Sequence, residues 1–228
     1  MSIYAIGDLH LSGGADKPMS VFGPQWEDHW DRIQTDWRAR VKDTDTVLIP
    51  GDISWAMKPE DAEADLKQIG ALPGRKILLR GNHDYWWGSI SRVRDLLPDT
   101  MYALQNDAVI LDGITYCGSR GWTFPVGPEG DDTRIYAREV IRLRLSLEKA
   151  RQLSPQGILI ALVHFPPLGE NGESTPVSDL MEAFHVRDVV YGHLHGISAK
   201  AAFTGNKNGV RYHFVSCDGI GFKLYQLS

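Results

Sequence analysis

Side chains able to bind a cation or move a proton fall in five short groups along the chain. Asp8 and His10 stand in Gly7-Asp8-Leu9-His10, and Asp52 in Pro50-Gly51-Asp52. Asn82, His83 and Asp84 form Gly81-Asn82-His83-Asp84. His164 follows the apolar run 158–163, and His193 and His195 lie in Gly192-His193-Leu194-His195. Together they offer carboxylate oxygen, imidazole nitrogen and one amide oxygen, and no thiolate. That mixture suits borderline first-row cations such as Mn, Fe, Co, Ni or Zn better than it suits a thiolate-bound structural zinc. The set exceeds the needs of one tetrahedral ion. Two divalent ions about 3.5–4 Å apart, sharing a carboxylate, use it efficiently to activate water and clamp a phosphoryl group.

Each group alone has a plainer explanation. An Asp before a turn is usually a cap or an Asx-turn residue, and a lone His after a strand is usually structural. The joint pattern decides. Of the eight histidines, His10, His83, His164, His193 and His195 all fall in these groups. His29, His185 and His213 have no such context and read as structural or surface residues.

The groups need elements that bring them together. Strands are predicted at 3–6, 46–49, 76–79, 108–111, 114–117, 158–163 and 189–191, several apolar at consecutive positions as in strands buried on both faces. Helices are predicted at 59–69, which opens on Pro59 and ends before Gly70, and at 133–153, where Tyr136, Val140, Leu143, Leu147 and Ala150 repeat at helical spacing. After residue 198 the pattern turns to paired strands, 199–203 and 210–215 around a Gly- and Asn-rich turn at 204–209, and a last strand at 222–227. The sum is α/β layers around a mixed sheet system in one domain, 1–228. Every chemical group follows the C-terminal end of a predicted strand, the edge where open α/β sheets bind ligands. Glycines 7, 51, 81 and 192 precede four of the groups and permit sharp turns and close backbone approach.

Composition sets the outer bounds. With 43% hydrophobic and 23% charged residues and a net charge of -5, the chain is an ordinary globular sequence without a wholesale basic surface for duplex DNA. The arginine-rich face of helix 133–153 reads first as a solvated surface and second as a nucleic-acid face. Cys117 and Cys217 form no CxxC pair and are expected as buried reduced thiols. No basic leader or long apolar span is visible, so a cytoplasmic protein without membrane contact is expected.

The ordered set Asp8-x-His10, Gly51-Asp52, Gly81-Asn82-His83-Asp84, His164 and Gly192-His193-x-His195 resembles the calcineurin-like metallophosphoesterase superfamily. The resemblance implies two mixed β-sheets packed as a sandwich and flanked by helices. It implies a first metal on Asp8, His10 and His195, a second on Asn82, His164 and His193, and Asp52 bridging them. It makes His83 a general acid or charge stabiliser facing the substrate, with Asp84 fixing its imidazole. The implied reaction is phosphoester hydrolysis by a hydroxide shared between the two ions, with diesters favoured over monoesters and manganese among the candidate metals. Ile53-Ser54-Trp55-Ala56 stands where the protein Ser/Thr phosphatases carry Asp-Arg-Gly, and Leu9 stands where purple acid phosphatases place a Tyr ligand, so neither branch fits.

Arg120 and Trp122, in Gly118-Ser119-Arg120-Gly121-Trp122, are candidate substrate contacts, Arg120 for a phosphate and Trp122 for a base or other planar group. Loops 12–30, 122–132 and 166–178 are the candidate specificity elements. The expected partner is a small phosphoester or nucleotide-like substrate. The competing readings are a nuclease acting on ends or single strands, and a non-catalytic scaffold with the same fold. Scaffold members of the superfamily have lost a catalytic imidazole that His83 retains here. The oligomeric state is not legible in the sequence.

Overall fold

A strand with apolar residues at consecutive positions needs cover on both faces, and two stacked sheets with helices outside them provide it here. The computed structural model of the protein describes residues 1–12, 17–125, 127 and 130–227. Parts of the predicted loops 12–30 and 122–132, namely residues 13–16, 126, 128 and 129, lie outside the described residues.

The elements run β1 (Ile3–Ala5), α1 (His29–Arg40), β2 (Thr46–Ile49), α2 (Pro59–Gly70), β3 (Arg75–Leu79), α3 (Ile90–Leu96), β4 (Met101–Leu104), β5 (Ala108–Leu111), β6 (Ile114–Ser119), α4 (Asp131–Leu153), β7 (Ile158–Val163), α5 (Pro176–Ala183), β8 (Asp188–Tyr191), β9 (Gly205–Lys207), β10 (Val210–Phe214) and β11 (Tyr225–Leu227). One sheet has the order β11-β1-β2-β3-β4 and the other β5-β6-β7-β8-β10-β9. Both are mixed: β1, β2, β3 and β4 run parallel, as do β6, β7, β8 and β10, while β11, β5 and β9 are antiparallel edges. The expected two-sheet α/β architecture is therefore present.

Side-chain alternation along each strand builds three apolar layers. Ile3, Ala5, Leu48 and Ile77 of the first sheet meet Tyr116, Ile160, Leu162 and Val190 of the second in the central layer. Tyr4, Ile6, Val47 and Ile49 point the other way, onto Ile33 and Trp37 of α1 and Leu66 and Ile69 of α2. Leu159, Ala161 and Val163 face Leu143 and Leu147 of α4 and Leu180 of α5. No helix among the described residues is long and apolar enough to cross a membrane. Cys117 and Cys217 are buried free thiols.

Where expectation and structure differ, local geometry explains it. Residues 198–201 form a 3-10 turn instead of the start of a strand. The hairpin is tighter, β9 and β10 meeting around Asn208 and Gly209, both at positive φ (50° and 85°), the conformation a two-residue hairpin turn demands. Helix α5 occupies part of the predicted loop 166–178, and a capping box between Thr175 and Ser178 marks its start.

One buried charge ties the second sheet together. The fully buried Asp188 on β8 accepts hydrogen bonds from Arg187 Nε (2.6 Å), Arg211 Nε (2.8 Å) and His213 Nε2 (2.8 Å). Burial pushes this carboxyl up, but the three donors outweigh it and hold it at about 2. A carboxyl lowered on folding contributes stability above its unfolded value of 3.8, lost as pH falls through about 2. Asp188→Ala strands buried donors and is expected to cost about 3 kcal/mol at pH 7. Urea unfolding should show that penalty shrinking between pH 4 and pH 2; an equal penalty at both ends would remove Asp188 from this role.

Candidate metal centre

The C-terminal ends of β1, β2, β3, β7 and β8 open on one side of the molecule, and each carries one of the five groups. The chain turns so sharply there that Asp8, His10, Asp52 and His193 adopt left-handed backbone angles (φ 58°, 47°, 52° and 75°). Such a conformation costs a non-glycine residue about 1–2 kcal/mol and persists only where its surroundings over-determine it. Here Asp8 N donates to Gly51 O (3.0 Å) and His10 N to Asp52 O (3.0 Å), so the first two loops brace each other. Gly192 N donates to His164 O (3.1 Å) and so joins the fourth and fifth.

The glycines act by close approach. A Cβ on Gly192 would overlap the Asp8 carboxylate, and one on Gly81 would overlap Asp52. Their absence lets the two acidic side chains enter the centre against neighbouring backbone.

The donor atoms converge in two overlapping sets. Asp8, His10 and His195 offer ligand atoms all within 4.8 Å of one another, and so do Asp8, Asp52 and His164. Asp52 Oδ2 stands between the sets, 3.8 Å from His10 Nε2 and 3.5 Å from His164 Nε2. Asn82 Oδ1 lies 2.7 Å from His164 Nε2 and 2.9 Å from His193 Nδ1, which brings the remaining predicted ligands to the same place. Asp8, Asp52 and His164 are fully buried or nearly so, whereas His193 and His195 keep an open side.

The electrostatics fit a cation-binding role. Burial pushes the imidazoles of His10 and His193 down, to about 3 and about 4, so both present neutral nitrogens with lone pairs. His10 Nε2 and His195 Nε2 face each other at 3.3 Å, and His10 Nδ1 is buried without a partner. Burial raises Asp52 to about 7, an effect reinforced by the neighbouring charges of Asp8 and Asp84 and only partly offset by His164. Burial also pushes Asp8 up, but a hydrogen bond with His195 and the imidazoles of His164, His195 and His10 outweigh it and hold it at about 2. Burial pushes His195 down, but the carboxylates of Asp218 and Asp8 outweigh it and raise it to about 10, so a cation seated there displaces a proton; the neutral imidazoles of His10 and His193 beside two buried carboxylates offer it free lone pairs.

His83 lines the cleft beside the centre, its ring packed on Trp55 at 4.6 Å, and its backbone N donates to Asp52 Oδ1 (2.8 Å). Asp84 does not hold that ring. Its carboxylate is taken by the N–H groups of Ile53 (2.8 Å), Ser54 (3.1 Å) and Gly81 (2.8 Å) and by the Trp86 indole (3.0 Å), while His83 Nδ1 is buried without a partner. Asp84 instead locks the loop after β2 to the loop after β3, because adjacent residues in a turn send their side chains to different sides.

Arg120 and Trp122 follow β6, and neither lines the cleft beside the metal ligands. Trp122 packs on Phe165 at 5.1 Å and donates to Asp132 (2.9 Å), while Arg120 turns toward Glu139 of α4 (3.7 Å). The cleft wall is instead built by Met19, Phe22, Trp26 and Trp55, with His10 stacked on Trp55 at 4.9 Å. Its volume is about 320 Å³. His29 bonds Leu9 O (3.0 Å) behind this wall.

A residue the motifs did not reveal is Asp218. Its Oδ1 receives His195 Nδ1 at 2.9 Å and its Oδ2 the N–H of Gly196 at 2.9 Å. A carboxylate behind a ligating imidazole fixes its tautomer and orientation. Asp218 is the fourth residue beyond β10, which lies beside β8, so it too belongs to the ligand-bearing strand ends, but at a greater distance along the chain than the five groups.

The sequence profile of the calcineurin-like phosphoesterase family matches residues 1–196. Among solved structures, a protein of unknown function from Aquifex aeolicus is 17% identical, with 99% of this chain and 95% of that one covered and a TM-score of 0.51. A Thermus thermophilus protein is 14% identical, with 99% and 97% covered and a TM-score of 0.58. At such identities the likeness is one of fold. Comparison with curated protein sequences yields no significant match.

Proposed function

Because the chain belongs to the calcineurin-like phosphoesterase family, we propose that it hydrolyses a small phosphodiester on a pair of divalent cations. The observation that supports this most is Asp52 Oδ2 standing between His10 of one donor set and His164 of the other. One carboxylate serving both sets is what a two-ion site requires. Asp8, His10 and His195 would hold the first ion, and Asn82, His164 and His193 the second. Two such ions, when bound, neutralise the phosphoryl oxygens and generate a nucleophile from water at neutral pH.

The rest of the chemistry belongs to the chain. Asp218 holds His195 in one tautomer. His83, with its ring on the cleft side and held below its ordinary value first by burial, is placed to hydrogen-bond the phosphoryl group or the leaving oxygen. Trp26, Trp55 and Phe22 give the cleft an apolar wall, a surface for an organic substituent on the phosphorus besides the leaving group, which supports the diester over the monoester.

A panel of aryl and nucleotide mono- and diesters, assayed with Mn, Co, Ni, Zn and Fe after chelation, tests the reading. Diester turnover that vanishes with the metal and returns with one of these ions is expected. Metal-independent turnover, or none on any ester with every ion, would count against it.

A further inference from the structure

A second cavity lies on the same edge of the sheets, beside the metal centre, and shares no lining residue with the cleft. Its volume is about 290 Å³, and four arginines line it. Arg80 follows β3, Arg120 follows β6, and Arg138 and Arg142 stand one turn apart on α4. Among the described residues, Glu139 is the sole acidic one lining it; it lies 2.6 Å from Arg142 and 3.7 Å from Arg120. Among the described residues, neither Arg80 nor Arg138 has an acidic partner, and Arg80 Nε is buried with no hydrogen bond at all.

That arrangement carries an unbalanced charge. Four cations face one carboxylate in a concave site, and guanidinium groups from three elements converge on it. Arg120 is held below its ordinary value, first by burial and then, against the pull of Glu139, by the charges of Arg80, Arg142 and Arg138. Like charges brought together in this way are stabilised by an anion. The planar forks of Arg match phosphate oxygens in pairs better than any other side chain does.

We propose that this cavity is an anion site for a phosphate group, separate from the metal centre, formed by Arg80, Arg120, Arg138 and Arg142. It is coupled to the metal loops by the backbone. Arg80 directly precedes Gly81-Asn82, and Arg120 O accepts the N–H groups of His164 (2.9 Å) and Phe165 (3.2 Å). A phosphate seated on these arginines therefore bears on the loops that position Asn82 and His164.

Calorimetric titration of the full chain with inorganic phosphate and with methylphosphonate, before and after chelation of metals, tests the assignment without reference to turnover. The expected result is phosphate binding that survives chelation and falls at least tenfold in both Arg80→Gln and Arg138→Gln. Arg138 is exposed, so its replacement leaves the fold intact, and it should also raise the melting temperature in phosphate-free buffer by relieving repulsion. Equal binding of methylphosphonate would assign the site to a phosphoryl group carried on a larger molecule. Binding of phosphate alone would assign it to the free ion. Affinity that is absent after chelation, or unchanged in both variants, overturns the proposal. So does a single-stranded oligonucleotide that binds far more tightly than phosphate and depends on the same arginines.

Discussion

Asp52→Asn is expected to lower turnover of the best ester by a factor on the order of 10³ or more, while melting temperature and circular dichroism stay close to those of the unaltered protein. Oδ1 accepts the N–H of His83 (2.8 Å) and can do so equally as an amide oxygen. Oδ2 is the atom that faces His10 and His164. As an amide nitrogen it has no lone pair and no charge to offer, so the link between the two donor sets is cut while the loops stay braced. The substitution also removes a buried carboxyl that burial holds near 7, so folding should not suffer. Parallel steady-state kinetics and thermal melts separate these effects. Residual activity within tenfold of the original would show that the shared carboxylate is dispensable.

Gly192→Ala should be almost as damaging, through one methyl group. Its Cβ would fall on the Asp8 carboxylate, which accepts the backbone N–H of His193 at 3.1 Å and 3.2 Å. Either Asp8 or the His193 loop must shift, and overpacking of this kind costs about 1–3 kcal/mol. Both carry ligands, so metal affinity should collapse together with activity. Gly88→Ala is the matched control: a Cβ there meets nothing within 4 Å, and the change should be silent. Metal content after dialysis and turnover, measured on both variants, check the pair. A Gly192→Ala protein that retains full metal would mean that the close approach is incidental.

The sequence exposed the site more fully than it exposed the elements around it, for a physical reason. Strands such as β7 are continuous apolar runs because both faces are covered, and the ligands follow them directly, so strand end and ligand mark each other. β4, whose residues read Met-Tyr-Ala-Leu, carries no such mark and went unpredicted. Helix α1 hid in a polar stretch because it buries little beyond Ile33 and Trp37.

Adjacency in sequence also misled. Asp84 follows His83 but serves backbone and indole N–H groups instead of the imidazole. Arg120 and Trp122 follow a strand as the ligands do, yet β6 lies toward the other side of the edge, where Arg120 meets α4 rather than the metal cleft. Asp218 was missed because three residues separate it from the end of β10. The apolar wall was legible only in part: Met19, Phe22 and Trp26 lie in the loop 12–30 expected to set specificity, whereas Trp55 reaches the cleft from the separate loop after β2.

If scattered loops cradle two cations around Asp52, crystals grown with Mn²⁺ will reveal them by anomalous diffraction. Two peaks per chain are expected, one among Asp8, His10 and His195 and one among Asn82, His164 and His193, both within coordination distance of Asp52. A single peak, or peaks that Asp52 does not touch, would contradict that arrangement.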